Sequence, residues 1–263
     1  MYFQRFYDTP LAQASYLIGC QATGEAIVID SNRDIAQYVE AAEAQQLRIS
    51  HVTETHIHAD FVSGSRELAH AAGARLFLSA EGGADWQYAF AAASGATLLH
   101  DGSSIKVGNI RLDVLHTPGH TPGQVAVHVP EERVVFTGDT VFSECQTWLM
   151  TSNVDQWLAA LERIRALDVD RVIPGHGPVT TMAYLDTQRS VLLEWKSAVA
   201  AAVARGWTRE ETIARVNFAE RYPVDVGQGY MMSHIQTLNA GALYDELTAP
   251  TATTFPAQAT PQR

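Results

Sequence analysis

The spacing of apolar residues changes period repeatedly along the chain. Tyr16-Leu17-Ile18-Gly19-Cys20 and Ala26-Ile27-Val28-Ile29-Asp30 are two apolar runs around a Gly-bearing turn, which predicts a β-hairpin. Ile35, Val39 and Ala42 then recur at helical spacing, predicting a helix from Asp34 to about Leu47 with Ser31 or Asn32 as its cap. Ile49–Thr53 and Arg75–Ser79 read as strands on either side of a helix over Ser65–Ala72. Ile105–Leu115 holds two strands around the turn Gly108-Asn109. Val125–Val129 and Arg133–Phe136 are two more, joined by Pro130-Glu131-Glu132. The second half is richer in helix. Leu158, Leu161 and Ile164 share one face of a helix over Val154–Leu167. Arg171-Val172-Ile173 is a short strand, followed by helical patterns at Met182–Arg205, Arg209–Val216 and His234–Leu247. Strands interleaved with helices, many of them hairpin-joined, imply two mixed sheets packed face to face with helices outside, an α/β (α+β) fold. No linker with a shift in composition divides the chain. Residues 1–180 are expected to form one domain, 181–248 a helical extension packed on it, and 249–263, rich in Thr, Ala and Pro, a disordered tail.

The 263 residues suffice to bury a sizeable core, and 46% hydrophobic against 18% charged residues excludes wholesale disorder. A formal charge of −11 repels phosphate backbones and anionic headgroups, so neither nucleic acid nor a membrane surface is an expected partner. No apolar run approaches the roughly 18 residues that span a bilayer. The opening Met1-Tyr2-Phe3-Gln4-Arg5 lacks the charged-then-apolar order of a secretion signal. Two cysteines, Cys20 and Cys145, fit a reducing compartment rather than a disulfide scaffold. The expectation is a cytoplasmic protein acting on a small molecule, with a homodimer through the C-terminal helices resting on general frequency alone.

The chemistry is carried by histidines in clusters. Thr55-His56-Ile57-His58-Ala59-Asp60-Phe61 follows a strand directly. In an extended segment His56, His58 and Asp60 point to one side, with Ile57 and Ala59 turned to the protein. Two imidazoles and a carboxylate suit Zn²⁺ or Fe²⁺. Three further segments add weight: His120 in Thr117-Pro118-Gly119-His120-Thr121-Pro122-Gly123, Asp139 in Phe136-Thr137-Gly138-Asp139-Thr140, and His176 in Pro174-Gly175-His176-Gly177. Each sets a small, turn-forming residue beside a ligand candidate at a strand terminus, so the backbone can bend closely around an ion while the sheet holds the ligand.

H-x-H-x-D, P-G-H-T, T-G-D and G-H-G in this order resemble the metallo-β-lactamase fold superfamily, over roughly Tyr16–Pro178. The resemblance implies a four-layer αβ/βα sandwich with the metal site at the sheet edge. By motif, His56, His58 and His120 match the first metal site, Asp139 the bridging carboxylate, and Asp60 and His176 the second site. Dinuclear hydrolases of the family continue H-x-H-x-D-H, whereas this chain has Phe61, which offers no lone pair and favours a single ion. Glu54–Ser65 resembles the persulfide dioxygenase branch, whose one iron would sit on His56, His120 and Asp139. The segments Asp139–Trp148, Asp155–Leu158 and Pro174–Pro178 instead resemble general metallo-hydrolases of the glyoxalase II-like group.

The expected function is therefore a metal-dependent hydrolase. One or two Zn²⁺ would activate water against a small ester, thioester or lactone, with Asp60 exchanging the proton. The alternative is a mononuclear Fe²⁺ persulfide dioxygenase acting on glutathione persulfide or a related thiol-derived substrate. A catalytically silent metal-binding protein is a third reading, disfavoured because a silent site has no need of so many adjacent polar groups. Phe61, His116 and Cys145 are expected around the site, His116 as support for a ligand and Cys145 as a buried thiol. Trp148, Trp157, Tyr222 and Tyr230 are expected in the core rather than a pocket wall. Met231-Met232 fits either a lid or helix packing. His51, His70, His100, His128 and His234 have no spacing partner and are read as surface or core residues.

Overall fold

The computed structural model describes residues 1–225 and 229–249, without the side chains of residues 229 and 230. Most of the expected tail, and the side chain of Tyr230, lie outside that description. Six strands form the first sheet in sequence order: β1 (Tyr2–Asp8), β2 (Gln13–Cys20), β3 (Glu25–Ile29), β4 (Arg48–Thr53), β5 (Arg75–Ser79) and β6 (Thr97–Leu99). β1, β2 and β3 pair antiparallel, and β3 to β6 pair parallel. The second sheet holds β7 (Ser104–Val107), β8 (Ile110–His116), β9 (Val125–Val129), β10 (Val134–Phe142) and β11 (Arg171–His176). Its pairings are antiparallel except β10 with β11. Among the described residues six α-helices complete the fold: α1 (Ala36–Ala44), α2 (Ser65–Ala72), α3 (Val154–Arg165), α4 (Tyr184–Ala204), α5 (Arg209–Arg215) and α6 (Gly229–Thr248).

Alternation along two-faced strands builds the four layers. On β2 and β3, Ile18, Ile27 and Ile29 meet Leu112, Val114, Val127 and Phe136 of the opposite sheet. Their neighbours Leu17, Ala26 and Val28 turn outward onto Tyr38 of α1 and Leu68 of α2. On β10, Val134 and Phe136 face inward, while Val135 and Val141 pack against Trp157, Leu161 and Trp195 from α3 and α4. Each sheet is thus apolar on both faces, as a sandwich flanked by helices requires. Among the described residues no helix is long and apolar enough to cross a membrane.

Several expectations change. The edge strands β1 and β6 carry weak patterns and were not anticipated. α1 begins at Ala36, with neither Ser31 nor Asn32 as its cap; Asn32 Oδ1 instead accepts from the Asp34 N–H at 3.0 Å and from Gln37 Nε2 at 2.9 Å. β10 runs on to Phe142, so Asp139 sits inside a strand rather than past its end. β11 likewise includes Pro174, Gly175 and His176.

Candidate metal centre

All the motif segments arrive at one end of the sandwich. The His56–Asp60 loop leaves β4, His120 sits in the β8–β9 loop, Asp139 lies near the end of β10, and His176 closes β11. The Val125 N–H donates to the Thr55 carbonyl at 2.8 Å, tying the first loop to the start of β9. Parallel pairing sets Gly138 opposite Pro174 and Phe142 opposite His176, which brings Asp139 and His176 side by side. Gly175 permits that approach, since a Cβ there would lie 2.0 Å from Asp139 Oδ1 and 2.8 Å from the Gly138 carbonyl carbon.

Asp139 Oδ2 is the hub. His56 Nε2 lies 3.7 Å from it, and His120 Nε2 and His176 Nε2 each 3.4 Å. The other ring nitrogen of each histidine is occupied. His56 Nδ1 lies 3.0 Å from Thr55 Oγ1, whose own hydroxyl donates to Asp30 Oδ2 at 2.9 Å, so the imidazole must be the donor to Thr55. His120 Nδ1 faces the Trp148 carbonyl at 3.3 Å, and His176 Nδ1 faces Asp225 Oδ2 at 2.5 Å. With the N–H on Nδ1, the Nε2 atoms of His56 and His120 present lone pairs toward the carboxylate, and His176 Nε2 faces the same oxygen. Two donors each about 2.1 Å from a tetrahedral ion lie about 3.4 Å apart. The observed spacings therefore suit donors sharing a cation, and the donor set fits a divalent ion. Ligand atoms of His56, His120 and Asp139 lie within 4.8 Å of one another.

The charge balance separates the three rings. Burial, with His58 nearby, holds His56 well below its ordinary value, and burial lowers His120, so both stay neutral and available as ligands at pH 7. His176 is also pulled down by burial, but Asp139 and Asp225 outweigh this and raise it well above the ordinary value. An ion on His176 must therefore displace a proton held between two carboxylates, whereas His56 and His120 impose no such competition. Burial alone would raise Asp139; the surrounding imidazoles overcome it and hold the carboxyl far below the usual range.

The remaining candidates surround this trio. The H-x-H-x-D segment bends after Thr53 instead of staying extended. His58 consequently turns its Nε2 to Asp30 Oδ1, at 3.1 Å, and leaves Nδ1 4.0 Å from Asp60 Oδ1. Burial lowers His58, but Asp30 more than compensates and pushes it up to about 9. Asp60 Oδ2 stands 3.6 Å from His176 Nε2. Ile57 and Ala59 line the adjoining cleft rather than facing only the protein. Phe61 packs on His58 with ring centroids 4.3 Å apart, so an aromatic face occupies that flank. His116 supports the His120 loop by placing Nε2 2.8 Å from the Pro122 carbonyl, without touching a ligand candidate. Cys145 is buried; burial and then the Asp225 charge push its thiol up, so it is no nucleophile. Trp157 is core, Trp148 lines the cleft, and Tyr222 packs against the helical cluster.

Two carboxylates escaped the sequence. Asp30, at the end of β3, accepts from the Thr55 N–H at 2.6 Å as well as engaging Thr55 Oγ1 and His58. Asp225 orients His176 from 49 positions away. A carboxylate behind a ligating imidazole fixes its tautomer, and its loss typically weakens metal affinity by about 10–100-fold. Asp225→Asn is accordingly expected to weaken binding of the ion or ions that use His176 by about that factor, read by competition with a chromophoric chelator. Unchanged affinity would remove His176 from the ligand set.

A cleft of about 320 Å³ opens over the cluster, reaching His56, Asp60, His120, Asp139 and His176 at its floor. That volume is within the range of small-molecule sites.

Comparison with known proteins agrees with the geometry. The model of the metallo-beta-lactamase superfamily matches residues 8–176. A hydroxyacylglutathione hydrolase of Rhodospirillum rubrum is 31% identical over 159 residues, covering 60% of this chain and 59% of that protein. The chain thus spans about three-fifths of the length of this curated relative. A metallo-beta-lactamase from Staphylococcus aureus subsp. aureus COL superposes with a TM-score of 0.67 at 34% identity, over 73% of this chain and 63% of that one. ETHE1 from Myxococcus xanthus gives a TM-score of 0.64 at 23% identity, over 92% and 99%, a likeness of fold.

Proposed function

The chain belongs to the metallo-beta-lactamase superfamily, and from that premise we propose that it is a metal-dependent hydrolase acting on a thioester. The observation that carries the reading is the convergence of three imidazole Nε2 atoms on Asp139 Oδ2 at the floor of an open cleft. His56, His120 and Asp139 would hold the ion, with His176 and Asp60 beside it. A bound ion of this kind polarises a carbonyl and lowers the pKa of water to about 7. Asp60, one-third exposed at the cleft wall, is placed to take a proton from the attacking water and return it to the departing thiol. Ile57 and Trp148 narrow the water-accessible space around the carbonyl. A thioester is favoured because the matched relative is named for hydroxyacylglutathione, an acyl group on a thiol. Zinc-loaded protein is expected to release thiol from at least one acyl thioester, followed with a thiol-reactive chromophore. Silence across thioesters, lactones and phosphodiesters with the metal bound would defeat the proposal.

The trio of two histidines and one carboxylate, with Phe61 packed at a tilt against His58, supports a second reading as a mononuclear Fe²⁺ oxygenase of a persulfide. Anaerobically iron-loaded protein given glutathione persulfide separates the two: oxygen uptake supports the oxygenase, and none eliminates it.

A further inference from the structure

The walls of the cleft bear on the substrate. Above the polar floor they are built from Leu11, Ile57, Trp86, Trp148, Met150 and Met231, drawn from five separate parts of the chain. Leu11 and Met150 are each 38% exposed, among the few large apolar side chains left open to solvent. Two such residues on the rim of one cleft form an apolar entrance. Beyond the floor, the polar lining is limited to Thr121, Thr151 and His234. Among the described residues no lysine or arginine lines the cleft.

Resting on the hydrolase reading above, we infer that the substrate is a thioester of an apolar acyl group, selected by its acyl chain rather than by an anionic thiol. A glutathione moiety brings two carboxylates. In this cleft they would face Asp60 and Asp139 with no lysine or arginine among the described lining residues to pair with, inside a protein of net charge −11. An alkyl or aryl acyl chain instead covers Leu11, Met150 and Met231 and leaves its thioester carbonyl over the polar floor. The wall therefore discriminates in favour of chain length and against charge.

The test uses metal-loaded protein and a series of acyl thioesters of one neutral thiol, N-acetylcysteamine, from acetyl to octanoyl, with S-lactoylglutathione as the anionic competitor. Each methylene entering the cleft should raise kcat/KM about fourfold until the cleft is full, so hexanoyl should exceed acetyl by about two orders of magnitude. Met150→Asp, and separately Leu11→Asp, should flatten that slope while the metal content is retained. Independently of turnover, the hexyl thioether of the same thiol should quench the fluorescence of Trp86 and Trp148 more tightly than the ethyl thioether. Turnover with no dependence on chain length, or a preference for S-lactoylglutathione over hexanoyl, would overturn the inference and leave the hydrolase reading intact. No turnover of any thioester removes that reading, and the inference with it.

Discussion

Replacing Asp139 by alanine is expected to abolish metal binding and, with it, the proposed thioester hydrolysis. Its Oδ2 is the atom on which the Nε2 atoms of His56, His120 and His176 converge, so no other donor occupies the centre of the group. Without it the site keeps imidazoles but loses the anionic ligand, and the remaining rings have no reason to stay at donor spacing. A metal contributes several kcal/mol to carbonyl polarisation and water activation. At about 1.4 kcal/mol per tenfold, kcat/KM should fall at least about a thousandfold. Melting gives a readout free of activity. Zinc at a thousand times its dissociation constant should stabilise the natural chain by about 4 kcal/mol, which raises Tm by about 10 °C for a domain of this size. The Asp139→Ala chain should show no such shift. A retained zinc-induced shift would place the ion elsewhere.

Gly119→Ala should cost much of the stability of the loop that carries His120. The residue precedes His120 and has φ +141, where a side chain is strained. A Cβ there would lie 2.3 Å from Trp157 Cα, 2.4 Å from its Cβ and 2.6 Å from its N. Those atoms belong to α3 and cannot swing aside. The indole of Trp157 is fully buried and donates to the Thr140 carbonyl at 2.8 Å, and the Asn153 N–H holds the Gly119 carbonyl at 2.7 Å. Overpacking and backbone strain each cost about 1–3 kcal/mol. Together they should lower Tm by about 10 °C and loosen zinc binding, because His120 moves with the loop and packs edge-on against Trp157. Gly73→Ala is the control. Its φ is +62 but a Cβ there meets nothing within 4 Å, so the loss should stay near about 1 kcal/mol. Equal losses at the two positions would show that φ alone, and not the approach to α3, sets the cost.

The gathering of His56, His120, Asp139 and His176 at one candidate centre is legible in the sequence because each is a local signal. His56, His120, Asp139 and His176 each stand beside a turn-forming residue or at a strand end, and glycines such as Gly119 and Gly175 mark where chain segments approach closely. The sandwich was legible for the same reason: the apolar runs of β2, β3, β4, β5 and β9 leave little choice of element. The unread features depend on distant partners. Nothing near Asp225 announces that it reaches His176, and Asp30 lies 28 positions from His58. The bend after Thr53 responds to Asp30, so a strict two-residue alternation misplaced Ile57 and Ala59. β1 escaped because Gln4 and Arg5 interrupt its aromatic residues, and its pairing with β2 rather than its own pattern makes it a strand. His234 showed no spacing partner, yet tertiary folding brings it to the cleft wall.

The most direct measurement is anomalous diffraction at the metal edge from crystals of the metal-loaded protein. A peak about 2.0–2.2 Å from His56 Nε2, His120 Nε2 and an Asp139 oxygen is the expected result. A peak remote from these three side chains, or imidazoles that stay at their present spacing around an empty centre in saturating zinc, would contradict it.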